Sequence, residues 1–341
     1  MANISDYKIA TLGSHSALQI LKGAKDEGFK TLCIVEKGRR RVYESYKVAD
    51  EFIEVESFAD DYPKIEQQLV DQNAIIIPHG SFVRYLGFAN VKKMKAMYYG
   101  NKDIIEWESD RAKERVWLEK AGNIKLPRLY KDPKDIDRTV IVKNDGALGG
   151  EGYFLAHDQK SYEEALPPSF SERGKVTIQE YIVGLPIYTH FFYSPLTDEL
   201  EVMSFDLRHE SNASGIGRIP ASDQLKIGLR PSYTVIGNTS VVVRESLLPQ
   251  IFEMGDSVVK AARELTGREI FGPFCLEGII DEKSNYYIFE VSARIVAGTN
   301  PFVNGSPYTW ARYNEPMSTG RRIARDIKMA IEGNSLDKIL G

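Results

Sequence analysis

An α/β protein of two or three lobes is predicted by three observations. Short apolar runs alternate with an amphipathic helix over the first part of the chain, the pattern of a parallel sheet with crossover helices. Two apolar, aromatic-rich runs near the C-terminus, 273–280 and 286–291, are separated by Ser284-Asn285, the mark of an antiparallel hairpin. The length, 341 residues, exceeds what one small core organises.

The elements follow in order. Residues 8–12 read as a strand, and Gly13-Ser14-His15-Ser16 follows it. Ala17, Ile20, Leu21 and Ala24 then fall on one helix face, and Gly28 stops the helix. Strands are expected at 30–35, 53–55 and 74–78, completing a first lobe over 1–100. A helix is expected from Asp110 to Ala121 with Ala112, Val116, Trp117 and Leu118 as its apolar positions. A smaller lobe completes 101–185, with strands 139–143 and 152–156 and a helix at 160–166. The last lobe, 186–341, should hold strands at 188–193, 200–206, 233–237, 273–280 and 286–291, with helices at 246–265 and near 319–332. Gly215 to Pro220 reads as a glycine-bearing loop.

Composition narrows the function. With 43% hydrophobic and 27% charged residues the chain is globular. A net charge of −4 argues against a general nucleic-acid binder. Lys37-Gly38-Arg39-Arg40-Arg41 is the one dense basic run, either a solvated surface or a phosphate contact. Cys33 and Cys275 lie inside apolar runs and read as small core residues of a reducing compartment. The N-terminal residues lack the apolar stretch of a signal peptide, and no apolar run approaches the roughly 20 residues that span a bilayer. A cytoplasmic protein with no membrane or nucleic-acid partner is expected.

Three motifs carry chemistry. Glu277 and Glu290 each end one run of the C-terminal hairpin, so two carboxylates should meet on one sheet face. Such a pair repels unless a proton or cation intervenes, and its hard oxygens suit Mg²⁺ (or Mn²⁺). The alternative is two solvated carboxylates. Upstream, a strand ends in Lys143, before a loop bearing Gly146, Gly149, Gly150 and Gly152. Glycines let backbone N–H groups approach phosphate, and lysine supplies a point charge. Without a helix after the loop this is not a Walker motif. The alternative is a plain turn. Third, Gln179-Glu180-Tyr181-Ile182-Val183-Gly184 ends a strand in a form that offers backbone groups to an adenine edge.

In that order, the lysine strand, glycine loop, hinge and paired glutamates resemble the ATP-grasp family of carboxylate–amine ligases. Segments 13–16, 79–83 and 293–302 are similar to one branch, the archaeal formate-dependent ligases that formylate the purine intermediate AICAR (5-aminoimidazole-4-carboxamide ribonucleotide). The resemblance implies an ATP-grasp fold with an N-terminal Rossmann-like, parallel-sheet lobe. It implies ATP with Mg²⁺ or Mn²⁺ as cofactors, and formate, AICAR and ATP as small-molecule partners. A homo-oligomer is the expected assembly.

The implied roles are these. Lys143 and the glycine loop would contact ATP phosphates, and Gln179 or Glu180, with Tyr181 and the Ile182 backbone, the adenine. Arg115 would be a second basic contact or a solvated helix charge. Glu277 and Glu290 would hold the metal, and Arg294 would stabilise the transferring phosphoryl group. Ser292 stands where the wider family often has an asparagine ligand, and Leu185-Pro186 where a ribose-binding glutamate often follows the hinge; Glu210 would serve instead. His15 and Ser81, in strand-to-helix loops, would bind the acceptor's phosphate, or simply cap their helices. Asn238, Thr299 and Asn300 would line the same pocket. The alternatives are a ligase of the same chemistry with another acid and amine, or a nucleotide-binding regulator without turnover.

Overall fold

The computed structural model describes residues 3–144, 153–166, 176–229, 232 and 234–341. Three sheets organise the chain. The first is parallel, with strands β1 (Lys8–Leu12), β2 (Lys30–Glu36), β3 (Glu51–Val55), β4 (Ala74–Ile76) and β5 (Met97–Tyr98) in the order β3-β2-β1-β4-β5. The loops after β1 and β4 therefore emerge side by side at the carboxyl edge, where the strand order reverses.

The basic run lies on this first lobe. A short helix, Arg40–Ser45, forms there. Lys37 pairs with Glu56 at 3.0 Å, and Arg40 with Glu44 and Glu54 at 2.7 and 3.0 Å, so these two basic residues face acidic partners at the surface.

The second sheet is antiparallel: β6 (Leu129–Tyr130), β7 (Val140–Asn144), β8 (Tyr153–Ala156) and β9 (Val176–Glu180), ordered β6-β9-β7-β8. It packs a small core of its own around Val140, Val142, Tyr162 and Ile178. The third sheet is also antiparallel: β10 (Leu185–Ser194), β11 (Glu199–Glu210), β12 (Val235–Val241), β13 (Gly272–Ile280) and β14 (Tyr286–Ser292), ordered β12-β11-β10-β13-β14.

The helices Leu248–Thr266 and Arg111–Ala121 cover one face of the third sheet, where buried Trp117 donates its Nε1–H to the Val258 carbonyl at 3.1 Å. Trp117 and Leu118 are buried as the periodicity requires. Ala112 and Val116 are instead exposed, Val116 to 49%, and the buried polar residue of that helix is Glu114.

Several boundaries move: the strand expected at 74–78 ends at Ile76, and the one expected at 200–206 runs from Glu199 to Glu210. The strand expected at 233–237 is Val235–Val241, because it takes its register from β11 rather than from its own apolar residues. Of the loop expected over 215–220, Gly215 and Ile216 end the short helix Ala213–Ile216, and only 217–220 form a turn leading into the helix Ala221–Ile227.

The C-terminal helix, Thr319–Glu332, packs against helix Ala17–Asp26 of the first lobe. A Cβ on Gly23 would lie 2.2 Å from the Arg321 nitrogen, and one on Gly320 would lie 2.2 Å from the Gln19 oxygen. Only glycine permits this approach. Through it Ile9, Ile20 and Ala24 join Phe191, Phe274 and Ile327 in one apolar core, so the first and third sheets are fastened to each other.

Candidate active site

The β13–β14 hairpin places Glu277 directly opposite Glu290. Strict alternation would not have kept both in the cleft. Tyr286, Ile288 and Val291 of β14 all enter the main core, a spacing that breaks the two-residue period. The register shifts between Glu277 and Gly278, so Phe289 is the extra residue of a bulge. Tyr287, Phe289 and Glu290 are thereby turned to the opposite side, where Tyr287 lines the hinge cleft and Phe289 lies beneath Lys143.

Four carboxylates gather here. Glu277 is buried and forms a two-pronged ion pair with Arg208 of β11, at 2.7 and 2.8 Å. The Arg208 guanidinium lies 3.7 Å over the Tyr188 ring. Glu290 is exposed, with Glu277, Arg208, Lys143 and Arg111 near enough to act on its charge. The charge of Glu277, and then desolvation, push its carboxyl up to about 7, against the opposing pull of Arg208, Lys143 and Arg111.

Glu114 and Glu108 sit behind β14. That strand is the sheet edge, and its free N–H groups need acceptors. Glu114 Oε1 accepts from the Val291 N–H at 2.7 Å, and Glu108 Oε2 from the Ala293 N–H at 3.1 Å. Burial first, then the Glu290 charge, drives the Glu114 carboxyl well above its usual range.

Opposing these acids are cations. Lys143 projects from β7 with its Nζ 5.4 Å over the Phe289 ring and 3.4 Å from Gln179 Oε1. Burial, then the charge of Arg111, lowers its ammonium to about 8. Arg115 is engaged elsewhere, with Glu119 at 2.7 Å and the Pro127 carbonyl at 2.8 Å, so the basic side chain of this helix that acts on Lys143 and Glu290 is Arg111.

The hinge from Glu180 through Tyr181 and Ile182 to Leu185 lines an open cleft of about 650 Å³ facing Ile280–Lys283 and Tyr287. The Glu180 side chain is held by Arg138 at 2.8 Å and accepts from the Arg128 N–H at 3.2 Å. Glu210, half-buried at the end of β11, has its carboxyl raised by burial. The loop residues Gly146, Gly149, Gly150 and Gly152 lie outside the described residues.

Arg294 joins this site to the first lobe. It approaches Glu108 as an ion pair at 2.6 Å and donates from Nη2 to the Gly80 carbonyl at 3.0 Å. Beyond Gly80, Ser81 Oγ lies 3.1 Å from His15 Nε2, and Ser14 Oγ lies 2.8 Å from His15 Nδ1. Neither Ser16 nor Ser81 caps its helix with its side chain. His15 has a φ of 43°, a left-handed conformation that a non-glycine residue adopts at some cost.

Burial, then Arg294 and Arg84, lower the His15 imidazole below its usual range. His79 stacks on it at 5.6 Å. Burial, then His15, press His79 down to about 3, so it stays neutral and fixes the loop between the Leu12 carbonyl and the Ser81 N–H. Gln19 donates to Thr299 Oγ1 and Asn300 Oδ1 at 2.6 and 2.8 Å, and Asn300 donates to the His15 carbonyl at 3.2 Å. Segment Ala297–Phe302 thus reaches from the large sheet to the loop at His15. Asn238, on β12, lies opposite Arg208 and donates to Asp206 at 2.7 Å.

Among the described residues no cluster of three or more histidine, cysteine or acidic side chains forms a ready metal cage. Two carboxylates that repel each other, with the Ser292 hydroxyl 3.4 Å from Glu277, still fit a hard divalent cation that completes its shell from phosphate and water. Sequence reasoning missed Arg208, Glu108, Glu114 and Arg111, which act from other elements, and placed His79 in the loop with Ser81 without giving it a role of its own.

A parallel-sheet lobe, a small antiparallel sheet and a large antiparallel sheet with paired carboxylates define an ATP-grasp protein of the ATP-dependent ligase class. Residues 169–341 match a family model described as "Domain of unknown function (DUF1297)", and residues 9–130 one described as "Protein of unknown function (DUF1246)". A relative from Pyrococcus abyssi named 5-formaminoimidazole-4-carboxamide-1-(beta)-D-ribofuranosyl 5'-monophosphate synthetase is 54% identical over 98% of this chain and 98% of its own. The chain belongs to that synthetase family. A solved IMP biosynthesis protein PurP from Thermococcus kodakaraensis superposes with a TM-score of 0.79 and 32% identity, over 98% of this chain and 100% of that one. An N5-carboxyaminoimidazole synthetase from Staphylococcus aureus complexed with ADP shares the fold, with a TM-score of 0.62 and 16% identity over 87% of this chain and 74% of its own.

Proposed function

We propose that the chain formylates AICAR with formate and ATP, making FAICAR (its N-formyl product) in de novo purine (IMP) biosynthesis. The observation that carries the reading is full-length identity of 54% to a synthetase named for that product. The lobes this reading uses are 1–100 for the acceptor, 101–185 over the nucleotide and 186–341 for the acidic site. Assembly as a homo-oligomer in the cytoplasm belongs to the same reading.

A carboxylate resists an amine because its oxygen is a poor leaving group. A formate oxygen first attacks the γ-phosphorus of ATP; the bond to the β-phosphate oxygen breaks and ADP leaves. The acceptor's amine then attacks the carbon of formyl phosphate, the carbon–oxygen bond to phosphate breaks, and the amine loses a proton. Such transfer needs positioning and positive charge more than covalent help. Lys143 and Arg294 supply fixed charge, and the hinge with Gln179 or Glu180 and Glu210 orients the nucleoside. A divalent cation, Mg²⁺ or Mn²⁺, held by Glu277 and Glu290 would neutralise charge along the phosphates. Arg294 is a suitable centre because it touches both the acidic site, at Glu108, and the acceptor loop, at Gly80.

The test is formate labelled with ¹⁸O. Label should pass into phosphate only when ATP and AICAR are both present, and the product should gain one formyl group by mass. Unlabelled phosphate, or turnover with another acid but not formate, would overturn the reading.

A further inference from the structure

The large sheet carries a second buried constellation that the phosphoryl chemistry does not use. His190 on β10 and Asp206 on β11 are 1% and 0% exposed. His190 Nε2 donates to Asp206 Oδ1 at 2.6 Å, and Asn238 Nδ2 on β12 donates to Asp206 Oδ2 at 2.7 Å. A carboxylate only accepts, so both nitrogens must carry hydrogen. The usual ambiguity of a side-chain amide is thereby removed. The Asn238 nitrogen is turned toward Asp206, and its Oδ1 is turned away.

Asn238 itself is only part-buried, and among the described residues its Oδ1 accepts no hydrogen bond. Burial works against ionisation of Asp206, but hydrogen bonds from His190 and Asn238 and the nearby charge of Arg208 hold its carboxyl below the usual range. Burying an ionised carboxylate is costly unless it is hydrogen-bonded and paired, and His190 and Asn238 supply those bonds.

A third contact ties the constellation to the acceptor lobe. A Cβ on Gly298 would lie 2.2 Å from Asp206 Oδ1 and 2.8 Å from His190 Cε1, so segment Ala297–Phe302 rests directly on the pair. The next two residues, Thr299 and Asn300, bond to Gln19, and Asn300 also bonds to His15. Asn238 and the His15–Ser81 loop are therefore referenced to one another through Gly298.

We propose that His190 and Asp206 are positioning residues that lock the Asn238 amide with its carbonyl oxygen free, so that the acceptor pocket selects a base bearing an N–H donor, such as a carboxamide, over one bearing a carboxylate. This rests on the AICAR reading. A carboxylate would meet a carbonyl oxygen with the Asp206 charge behind it, whereas a carboxamide N–H would be accepted.

The test is calorimetric binding of AICAR and of its 4-carboxylate counterpart to the full chain, with no turnover required. Wild type should prefer AICAR by on the order of tenfold or more. In Asp206→Asn the new amide can donate to Asn238, whose own amide can then turn its NH₂ outward. The preference should shrink toward unity, with ATP affinity unchanged. Asn238→Ser, at a part-exposed position, should do the same without touching the buried pair. His190→Ala removes the hydrogen bond that holds Asp206 ionised, so the buried carboxyl can take a proton, donate to Asn238 and release its amide, and discrimination should fall; His190→Gln, which keeps an N–H donor for Asp206, should restore it. If wild type binds no AICAR, the functional reading fails and this inference with it. If wild type prefers AICAR and both Asp206→Asn and Asn238→Ser keep that preference, the inference alone is overturned. Equal losses for both ligands would likewise reduce the pair to scaffolding.

Discussion

Glu290 stands directly opposite Glu277 across the β13–β14 ladder, and the bulge at Phe289 keeps both carboxylates on the cleft side. The Glu277 charge is the main reason that the Glu290 carboxyl is raised to about 7. A cation bound between the two carboxylates would relieve that repulsion.

A stability consequence follows for Glu290→Gln. A carboxyl raised in the folded state is destabilising once it is forced to ionise, and that loss develops as pH rises from the unfolded value near 4.5 through about 7. In the absence of metal and nucleotide, the glutamine variant should melt with wild type at about pH 4 and above it at about pH 8. ADP formation should fall by about two orders of magnitude or more. Near-normal turnover at saturating Mg²⁺ would remove Glu290 from the metal site.

Glu114 separates a structural role from a charge role. Glu114→Gln keeps an acceptor for the Val291 N–H, but Glu114→Ala leaves that donor buried and unpaired. The alanine variant should lose about 1–3 kcal/mol in denaturant unfolding. The glutamine variant should stay near wild type at neutral pH. Equal losses in the two would mean the hydrogen bond is not what the side chain supplies.

Lys143→Ala should raise the ATP requirement about tenfold or more, because a lost charge-assisted contact is worth roughly 1.5–3 kcal/mol. AICAR affinity should be unchanged. An ATP titration that gave wild-type affinity and wild-type turnover would return Lys143 to packing against Phe289.

His15 should respond to the acceptor's phosphate. Burial, then Arg294 and Arg84, keep its imidazole below the usual range, and a bound phosphomonoester would reverse that shift. NMR titration should show the His15 pKa rising with AICAR but not with the riboside. His15→Ala should weaken AICAR about tenfold and the riboside much less. A pKa that ignores the nucleotide would leave His15 as a strained loop residue only.

Local pattern in the chain was enough for the alternation of the first lobe, the hairpin that pairs Glu277 with Glu290, and the lysine before the glycine loop. These are properties of near neighbours: a two-residue or 3.6-residue period and a turn between two runs. The family resemblance also rested on short segments that stay legible without folding.

Tertiary structure alone decided the rest. Nothing in the sequence singled out Glu114; it is buried because edge strand β14 needs an acceptor for its Val291 N–H. Arg208 gave no local signal, because its partner Glu277 and its stacking ring Tyr188 lie on two other strands. Arg111 rather than Arg115 acts on Lys143, a difference set by how the helix is rotated against β14 and β7. The bulge at Phe289 cannot be read from β14 by itself, since a bulge is a mismatch between two strands. Periodicity reports which face a side chain takes within its own element; which charges meet across elements is set only when the sheets are packed together.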